Sequence, residues 1–389
     1  MRTVLVALAC ATAKRVVISN AEPRLTTTGQ VVDAHSGNIV GPINGTYFLY
    51  GEWYGRGNFA VAKSIDLPKL AVYTSPDLTS GSWEFRGLLH NNTQPTWASS
   101  PLWPWAPHGA WYVPSAVYSE ARKKFILYWT ASQAECCQAQ WGVAQSDDGV
   151  HFELVSLSEK ASMNSSVDGS FLFIDDDDGA GYVAYTAMKT AGLRDHVVAI
   201  DRLSPSLLSS SGDRVAFFPD FFVEGAVLFK RHGIYYVIYG SCCCACRQGS
   251  GAVVSSAPTI RGPWTRQPRD VNCNTDAAVC AGMPDGEITH LRPLGHLIIS
   301  AQGTAVSVLP SSGNEDATIL WHGQRWLSGA HNPSGCMSLC DPPTGVCEQS
   351  PAYVKGQDFD YWIPLSFSAN GAVNQFATFV DAFQLTLED

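Results

Sequence analysis

The chain has 389 residues, enough for two average domains or one large β domain, and 46% of them are apolar. Only 15% are charged and the formal net charge is −10, so nucleic acid and anionic membranes are excluded as partners, because proteins that bind them carry a basic face. Neutral polar partners such as sugars fit this composition, since 12 Trp, 14 Tyr and 17 Phe exceed the needs of a core.

The first residues, MRTVLVALACATA, carry a basic residue at Arg2, an apolar run and a small-x-small cleavage pattern at residues 11–13. This predicts a secretory signal peptide and leader over residues 1–21, followed by one folded domain over residues 22–389. A buried first strand is the alternative interpretation of the same run. No other stretch of the sequence reaches the ~18 apolar residues of a membrane span. Sequons at Asn44, Asn91 and Asn164 would suit a secreted glycoprotein.

Short strands rich in Tyr, Val, Ile and Phe alternate with turn residues, a pattern typical of all-β proteins. A turn followed by an aromatic or aliphatic strand recurs five times, at residues 44–52, 122–132, 178–187, 232–241 and 294–303. A second strand-turn-strand unit follows each, at residues 71–85, 142–154, 197–208, 252–264 and 361–373. The repeat predicts an all-β, five-bladed β-propeller as a single domain. Residues 88–111 and 328–358 are expected to be long loops at the face or rim.

Four blocks in chain order carry a family resemblance: DAHSGNIV with NGTYFLYGE, DGSFLFIDDDDGAGYVAYT, VEGAVLFKRHGIYYVIYGS, and ISAQGTAV with DFDYWIPLSF. Together they resemble glycoside hydrolase family 43, in particular the branch of exo-β-1,3-galactanases and its Cys-rich relatives. Together with the predicted signal peptide, the resemblance implies a secreted, inverting hydrolase of plant or algal oligosaccharides or polysaccharides, with β-1,3-galactan as one candidate substrate. It implies no cofactor and no metal. We also expect a monomer.

Glycoside hydrolysis requires a proton donor for the leaving oxygen and a second group that positions or activates water. Glu224, in FFVEGAVLF, is the candidate acid, because apolar neighbours would raise its pKa and keep it protonated. The resemblance assigns the acid to this residue. It also assigns Asp168, in SSVDGSFLF, to the carboxylate that orients the acid.

The base differs from the family pattern, in which an aspartate stands three positions before the aliphatic residue of blade one. Here that position is Ser36, whose hydroxyl cannot act as a base near neutral pH. Asp33 and Gln302 are two substitutes, and the sequence leaves the choice open. The galactanase branch has a glutamine at the position of Gln302, where the amide would position water or act through an imidic tautomer. If the base is lost, the protein would bind glycans without hydrolysing them, and a glycan-binding propeller is therefore the alternative function.

Four further residues are candidates for sugar contacts: His35, Glu52, Tyr112 and Trp129. His35 could fill the propeller centre or be a structural histidine. Tyr112 stands where relatives have a charged residue, so stacking would replace a polar contact. Trp129 could stack on a sugar, although a tryptophan at such a position is also a frequent core residue.

Twelve cysteines favour an oxidising compartment. Two clusters, Cys242, Cys243, Cys244 and Cys246 in blade four and Cys136 and Cys137 at the corresponding place of blade two, are expected to form disulfides that tie loops around the sugar site. Cys273 with Cys280, and a pair among Cys336, Cys340 and Cys347, are expected to be local bridges, and the sequence leaves the connectivity open. A zinc site is the alternative, but paired Cys-x₂₋₄-Cys units with histidine are lacking. The run from Asp175 to Asp178 is predicted to be a hairpin turn, with a calcium loop as the alternative.

Overall fold

The structure, a computed structural model, describes residues 14–56, 69–89, 111–132, 139–188, 196–241, 247, 249–274, 297–310, 316–329 and 353–387. Within these residues the fold is nearly all β, with five antiparallel sheets as the blades of a propeller. The predicted fold class is therefore confirmed. Among the described residues no helix is long and apolar enough to cross a membrane.

Four blades have four strands each, paired in chain order. Blade one contains β2 (Ile39–Ile43), β3 (Thr46–Trp53), β4 (Lys69–Ser75) and β5 (Glu84–Leu88). Blade two contains β6 (Trp111–Ser119), β7 (Lys124–Ser132), β8 (Ala139–Ser146) and β9 (Glu153–Glu159). Blade three contains β10 (Ser166–Ile174), β11 (Gly181–Met188), β12 (His196–Leu203) and β13 (Ser210–Phe221). Blade four contains β14 (Val223–Arg231), β15 (Ile234–Ser241), β16 (Val253–Ala257) and β17 (Thr265–Arg266).

Among the described residues blade five has three strands: β18 (Gln302–Leu309), β19 (Thr318–Arg325) and β20 (Phe359–Pro364). Of the repeat unit predicted at residues 294–303, only residues 302 and 303 lie in a strand of the described part, β18, and the second strand of blade five is β19. The pattern of β19 is hidden by polar residues inside the core, His322 and Gln324, which are 0% and 2% exposed. Burial lowers the pKa of His322 to about 3, so the ring is held neutral.

The ring is closed by the two ends of the described chain. Strand β1 (Lys14–Ser19) pairs antiparallel with β21 (Ala382–Leu387), and Val16, Ile18 and Leu385 pack in one cluster with residues of blades one and five. Asn20, fully buried, donates from Nδ2 to the carbonyl of Trp362 (2.8 Å) and accepts from its N–H at Oδ1 (3.0 Å). One side chain thus ties the terminal strands to β20.

Strand β1 lies within the segment that the sequence predicted as leader. Residues 14–19 belong to the sheet, so the propeller begins before residue 22, while residues 1–13 lie outside the described residues. The alternative of a buried first strand concerns the apolar run before residue 14, and that run lies outside the described residues. Only Val16 and Ile18 form the apolar face of this strand. In the sequence they follow the longer apolar run of the predicted signal peptide, so they do not stand out as a separate strand.

The acidic run at the end of β10 is a turn, as predicted. The N–H of Asp175 donates to the carbonyl of Ala180 (2.9 Å), and Gly179 donates back to Asp175 (2.8 Å). The ammonium of Lys230 lies 2.6–3.1 Å from carboxylate oxygens of Asp175, Asp176 and Asp177. Burial alone would lower the pKa of Lys230, but these carboxylates raise it. A lysine therefore occupies the place that a cation would take in this cluster.

We predict that Asn20→Ala destabilises the protein by about 2–4 kcal/mol, because two buried backbone groups of Trp362 lose their partners. Urea unfolding followed by tryptophan fluorescence measures this change. Asn374→Ala, which removes one exposed side-chain hydrogen bond to Ser366, is the control and should cost under about 0.5 kcal/mol. Equal effects of the two substitutions would contradict the closing role of Asn20.

Candidate active site

The first strands of the five blades form the inner ring, each in contact with the next: β2, β6, β10, β14 and β18. The inner strands of blades two to five have a one-residue bulge near their start. In blade three Asp168 pairs with Thr186 but Phe171 with Ala184, so three residues face two across the pair. The same shift occurs in blades two, four and five. In blade one the extra residue lies just before β2, between the pairs His35–Glu52 and Ile39–Leu49.

In blades two to five the residues that begin the bulges are equivalent in register: Tyr112, Asp168, Glu224 and Gln302. Three of the four were predicted as catalytic and Tyr112 as a sugar contact. A glycine directly follows Asp168, Glu224 and Gln302, and this is a sequence signal for the bulge.

In blade one the pair before the irregular segment is His35 with Glu52. Ser36, where the sequence lacks the base, directly follows and has a φ of +59°, the backbone conformation found one residue after the bulge start in blades two, three and four. Strand ends of neighbouring blades meet at one face, so these residues surround the same end of the propeller axis.

The bulge brings blades four and five into close backbone contact. Gly225 has φ +69°, and a Cβ atom there would lie 2.3 Å from the carbonyl oxygen of Gly303. Glycine is therefore required next to Glu224, both for its backbone conformation and for this approach. In blade two the equivalent residue is Val113, whose φ of +45° is unusual for a β-branched residue.

The three predicted catalytic side chains differ in their surroundings. Glu224 is buried at 7% exposure, whereas Asp168 is partly exposed on β10, the strand next to β14. The bulge after Asp168 is fixed by Gly169, which donates to Thr130 Oγ1 (2.9 Å) and accepts from Trp141 Nε1 (3.3 Å). Gln302 is buried and its Oε1 accepts from the indole N–H of Trp326 (3.0 Å).

Asp33, the other candidate for the base, is engaged by blade one. Its Oδ1 accepts from the N–H of Tyr54 (3.1 Å) and lies 3.0 Å from His35 Nε2, and its Oδ2 accepts from the N–H of Gly55 (2.6 Å). A carboxylate with these three partners holds a loop and a ring in place. The geometry therefore favours a structural role for Asp33, whereas Gln302 lies at the bulge position of blade five.

His35 and Glu52 stand side by side, joined by a backbone bridge. Burial and the Lys355 ammonium disfavour protonation of His35, but the carboxylates of Asp33 and Asp360 favour it and leave its pKa raised. Burial also raises the pKa of Glu52 against hydrogen bonds from Tyr54 and Val113. Both Glu52 oxygens accept these bonds, from Tyr54 Oη (2.7 Å) and the Val113 N–H (2.8 Å).

The Ser36 hydroxyl is engaged in a hydrogen bond and is not placed to act as a base. Its hydroxyl donates to Oε1 of Gln324 (2.5 Å), which lies opposite Gln302 on β19. Asp360 lies opposite Gln324 on β20. Burial raises the pKa of Asp360, but His35 and Lys355 more than offset this effect and lower it.

Lys355 was missed by the sequence analysis. It lies in a 3-10 turn, Lys355–Gln357, and is wholly buried. Its ammonium is 3.3 Å from His35 Nδ1 and 3.5 Å from Asp358 Oδ2, and 4.6 Å from the centre of the Trp326 ring. A lone lysine in a loop rich in Cys and Pro gives no signal of such burial, because His35, one of its partners, is 320 residues away in the chain.

The prediction that Trp129 contacts sugar was wrong. Trp129 is 0% exposed, tilted against Trp111 at 5.2 Å, and a Cβ atom at Gly142 would collide with its ring. It fills the core of blade two. Tyr112, in contrast, is partly exposed at the bulge position. Of the predicted bridging cysteines only Cys273 is described, and it is buried; Cys136, Cys137, Cys280 and the cluster at 242–246 lie outside the described residues.

The propeller with carboxylates at the bulges of adjacent inner strands defines a glycosidase-like protein. The sequence profile of glycosyl hydrolases family 43 matches residues 43–279, more than half of the chain, and the chain belongs to this family.

Among its relatives is a β-D-galactofuranosidase of Aspergillus niger, 23% identical over 211 residues that span 53% of this chain and 58% of that protein. The exo-β-1,3-galactanase of Clostridium thermocellum has a similar fold, with a TM-score of 0.63 and 19% identity over 94% of this chain and 66% of its own. That of Phanerochaete chrysosporium, in a structure with β-1,3-galactotriose, has a TM-score of 0.65 and 17% identity over 95% of this chain and 67% of its own. The chain thus spans about two thirds or less of these proteins.

We predict that Gly225→Ala destabilises the protein by about 1–3 kcal/mol more than Gly233→Ala, since the new methyl group must push β14 away from Gly303. Gly233 also has a positive φ, +73°, but a Cβ atom there meets nothing within 4 Å. The two variants therefore share the backbone strain and differ only in the collision. Urea unfolding compares them, and equal midpoints would show that the bulges are not in close contact.

Proposed function

We propose that the protein is an inverting glycoside hydrolase that releases galactose from β-1,3-linked galactan. The observation that carries the proposal is the set of equivalent bulge positions, which brings Glu224, Asp168 and Gln302 to one end of the axis. The galactanases of similar fold and the galactofuranosidase relative support galactose as the sugar.

Each residue has a chemical task in this proposal. Glu224, buried on β14, donates a proton to the leaving glycosidic oxygen. Asp168 on the adjacent strand β10 orients that acid and influences its ionisation. Inversion needs water on the opposite face of the sugar, where Gln302 positions it. Tyr112, at the blade-two bulge, offers a ring to the sugar in place of a charged contact.

A glycan-binding propeller without activity is the second candidate. Ser36 favours it, because blade one supplies no carboxylate at its bulge and the serine hydroxyl is committed to Gln324. In such a protein the same ring of side chains would hold a sugar, and the bond would stay intact.

We also propose that the protein is secreted as a glycosylated monomer that acts on plant or algal polysaccharide. The apolar first residues and the twelve cysteines support export. Asn44 and Asn164, in two of the sequons, are exposed in turns, where a glycan would meet no steric barrier. Mass spectrometry of protein from a eukaryotic secretion host tests the processing and both sites.

Glu224→Gln should lower kcat on the preferred substrate by about 100- to 10,000-fold with the fold intact, because an amide cannot donate the proton. Wild type and variant are compared on aryl β-galactoside, β-xyloside and α-arabinoside and on β-1,3-galactan. Glu120→Gln, on the exposed β6–β7 turn, is the control. Unchanged turnover in Glu224→Gln would refute the acid assignment, and retention of bound oligosaccharide without turnover in wild type would favour the glycan-binding candidate.

Gln302→Glu should introduce a new acid limb in the pH dependence of kcat/KM. An amide does not titrate, so the wild type needs no deprotonated group at this position, whereas a glutamate must lose its proton, with a pKa near or above the usual value of about 4.3. The kcat/KM of the variant therefore falls relative to that of the wild type as the pH decreases through that pKa. Gln30→Glu, at an exposed turn, should keep the wild-type profile. Matching profiles for wild type and Gln302→Glu would remove Gln302 from the water-positioning role.

A further inference from the structure

The contact between Trp326 and Gln302 identifies which atom of the Gln302 amide is the oxygen and which is the nitrogen. An indole nitrogen can only donate a hydrogen bond, so the atom 3.0 Å from Trp326 Nε1 must be the amide oxygen Oε1. The amide nitrogen Nε2 therefore stands on the opposite edge of the planar group. In the described part of the chain Nε2 makes no hydrogen bond that would compete for it.

Trp326 is itself held firmly. The carboxylate of Asp358, fully buried, accepts from the N–H of Leu327 (3.0 Å) and of Gly329 (2.8 Å), the backbone directly after the indole. The hydroxyl of Ser328 accepts from the N–H of Phe359 (3.0 Å) and joins the same loop to β20. This arrangement leaves the position of Trp326 determined by blade five and not by solvent.

Lys355 completes the support from the other side. Its ammonium lies 4.6 Å from the centre of the Trp326 ring, within the range of a cation–π interaction, and 3.5 Å from Asp358. A buried lysine is costly unless it is paired, so its place among Asp358, His35 and two aromatic rings indicates a defined arrangement. Lys355, Trp326 and Gln302 thus form a line of contacts that ends at the blade-five bulge.

We infer that Trp326, supported by Lys355, is a positioning residue that fixes which edge of the Gln302 amide is free to meet water or sugar. The indole engages the oxygen edge, so Gln302 offers its N–H groups as donors to an oxygen atom of the water or of a sugar hydroxyl. The orientation follows from the contacts themselves, and only its effect on turnover rests on the proposed function.

The orientation is tested first, without catalysis, by spectra of protein labelled with ¹⁵N in the indole groups. Trp326→Phe identifies the Trp326 resonance by its disappearance. Gln302→Leu should move that resonance upfield, because the indole loses its acceptor, whereas Gln267→Leu in blade four should leave it in place. If the chemical shift of the Trp326 resonance does not change in Gln302→Leu, the inference is overturned, whatever the activity of the protein.

The effect on turnover is tested by a double-mutant cycle. Trp326→Phe should lower kcat by about 10- to 100-fold with KM within about twofold, since a misplaced water is a loss in the chemical step. In the Gln302→Glu background the same substitution should lower kcat by less than about threefold. The two oxygens of a carboxylate are equivalent, so the group functions in either orientation. Trp264→Phe, which removes an indole hydrogen bond to Ile260 in blade four, should leave turnover unchanged.

The outcomes separate the inference from the proposed function. Equal losses for Trp326→Phe in both backgrounds, or a loss confined to KM, would reduce Trp326 to a structural residue and overturn the inference. If the wild type hydrolyses none of the substrates, the proposed function fails, and the indole resonance alone decides whether Trp326 orients Gln302.

Discussion

One extra residue in the inner strands is the constraint on which the arrangement at the axis depends. It occurs at the same register in blades two to five, so four side chains that are far apart in sequence become equivalent in space. The bulge also demands an unusual backbone, which Gly169 and Gly225 adopt at little cost and Val113 does not. The side chain at this position can then differ from blade to blade: tyrosine, aspartate, glutamate and glutamine occupy one structural position.

Behind this ring, charged groups fill the space between blades one and five. Lys355 has no exposure, and it lies among His35, Asp358 and the rings of Tyr54 and Trp326. Burying charges requires pairing or hydrogen bonds, and here each group supports another: Asp33 holds His35, and Asp358 holds the loop that carries Trp326. The residues nearest the axis are therefore held in position by side chains that are themselves hydrogen-bonded to other buried groups.

The fold was predictable because strand-turn-strand units repeat with apolar strands and turn residues in a fixed order. Blade five departed from that rule since His322 and Gln324 are polar yet buried, and periodicity cannot distinguish them from surface residues. Glu224, Asp168 and Gln302, which the structure brings to equivalent bulge positions, were selected as candidates because each stands at the same point of a motif. Lys355 and Trp326 were not, because their roles arise from contacts between distant segments. Trp129 was misassigned because core and sugar-stacking tryptophans share the same local sequence.

The pairing of β1 with β21 also sets the order in which this protein can be completed on the ribosome. Strand β1 emerges before all five blades, and its partner is made more than 360 residues later. Throughout that interval Val16 and Ile18 lack the leucines of β21 in their shared cluster. Closure by this pair therefore has to wait for β21, and until then the open ring is the form that a chaperone would meet.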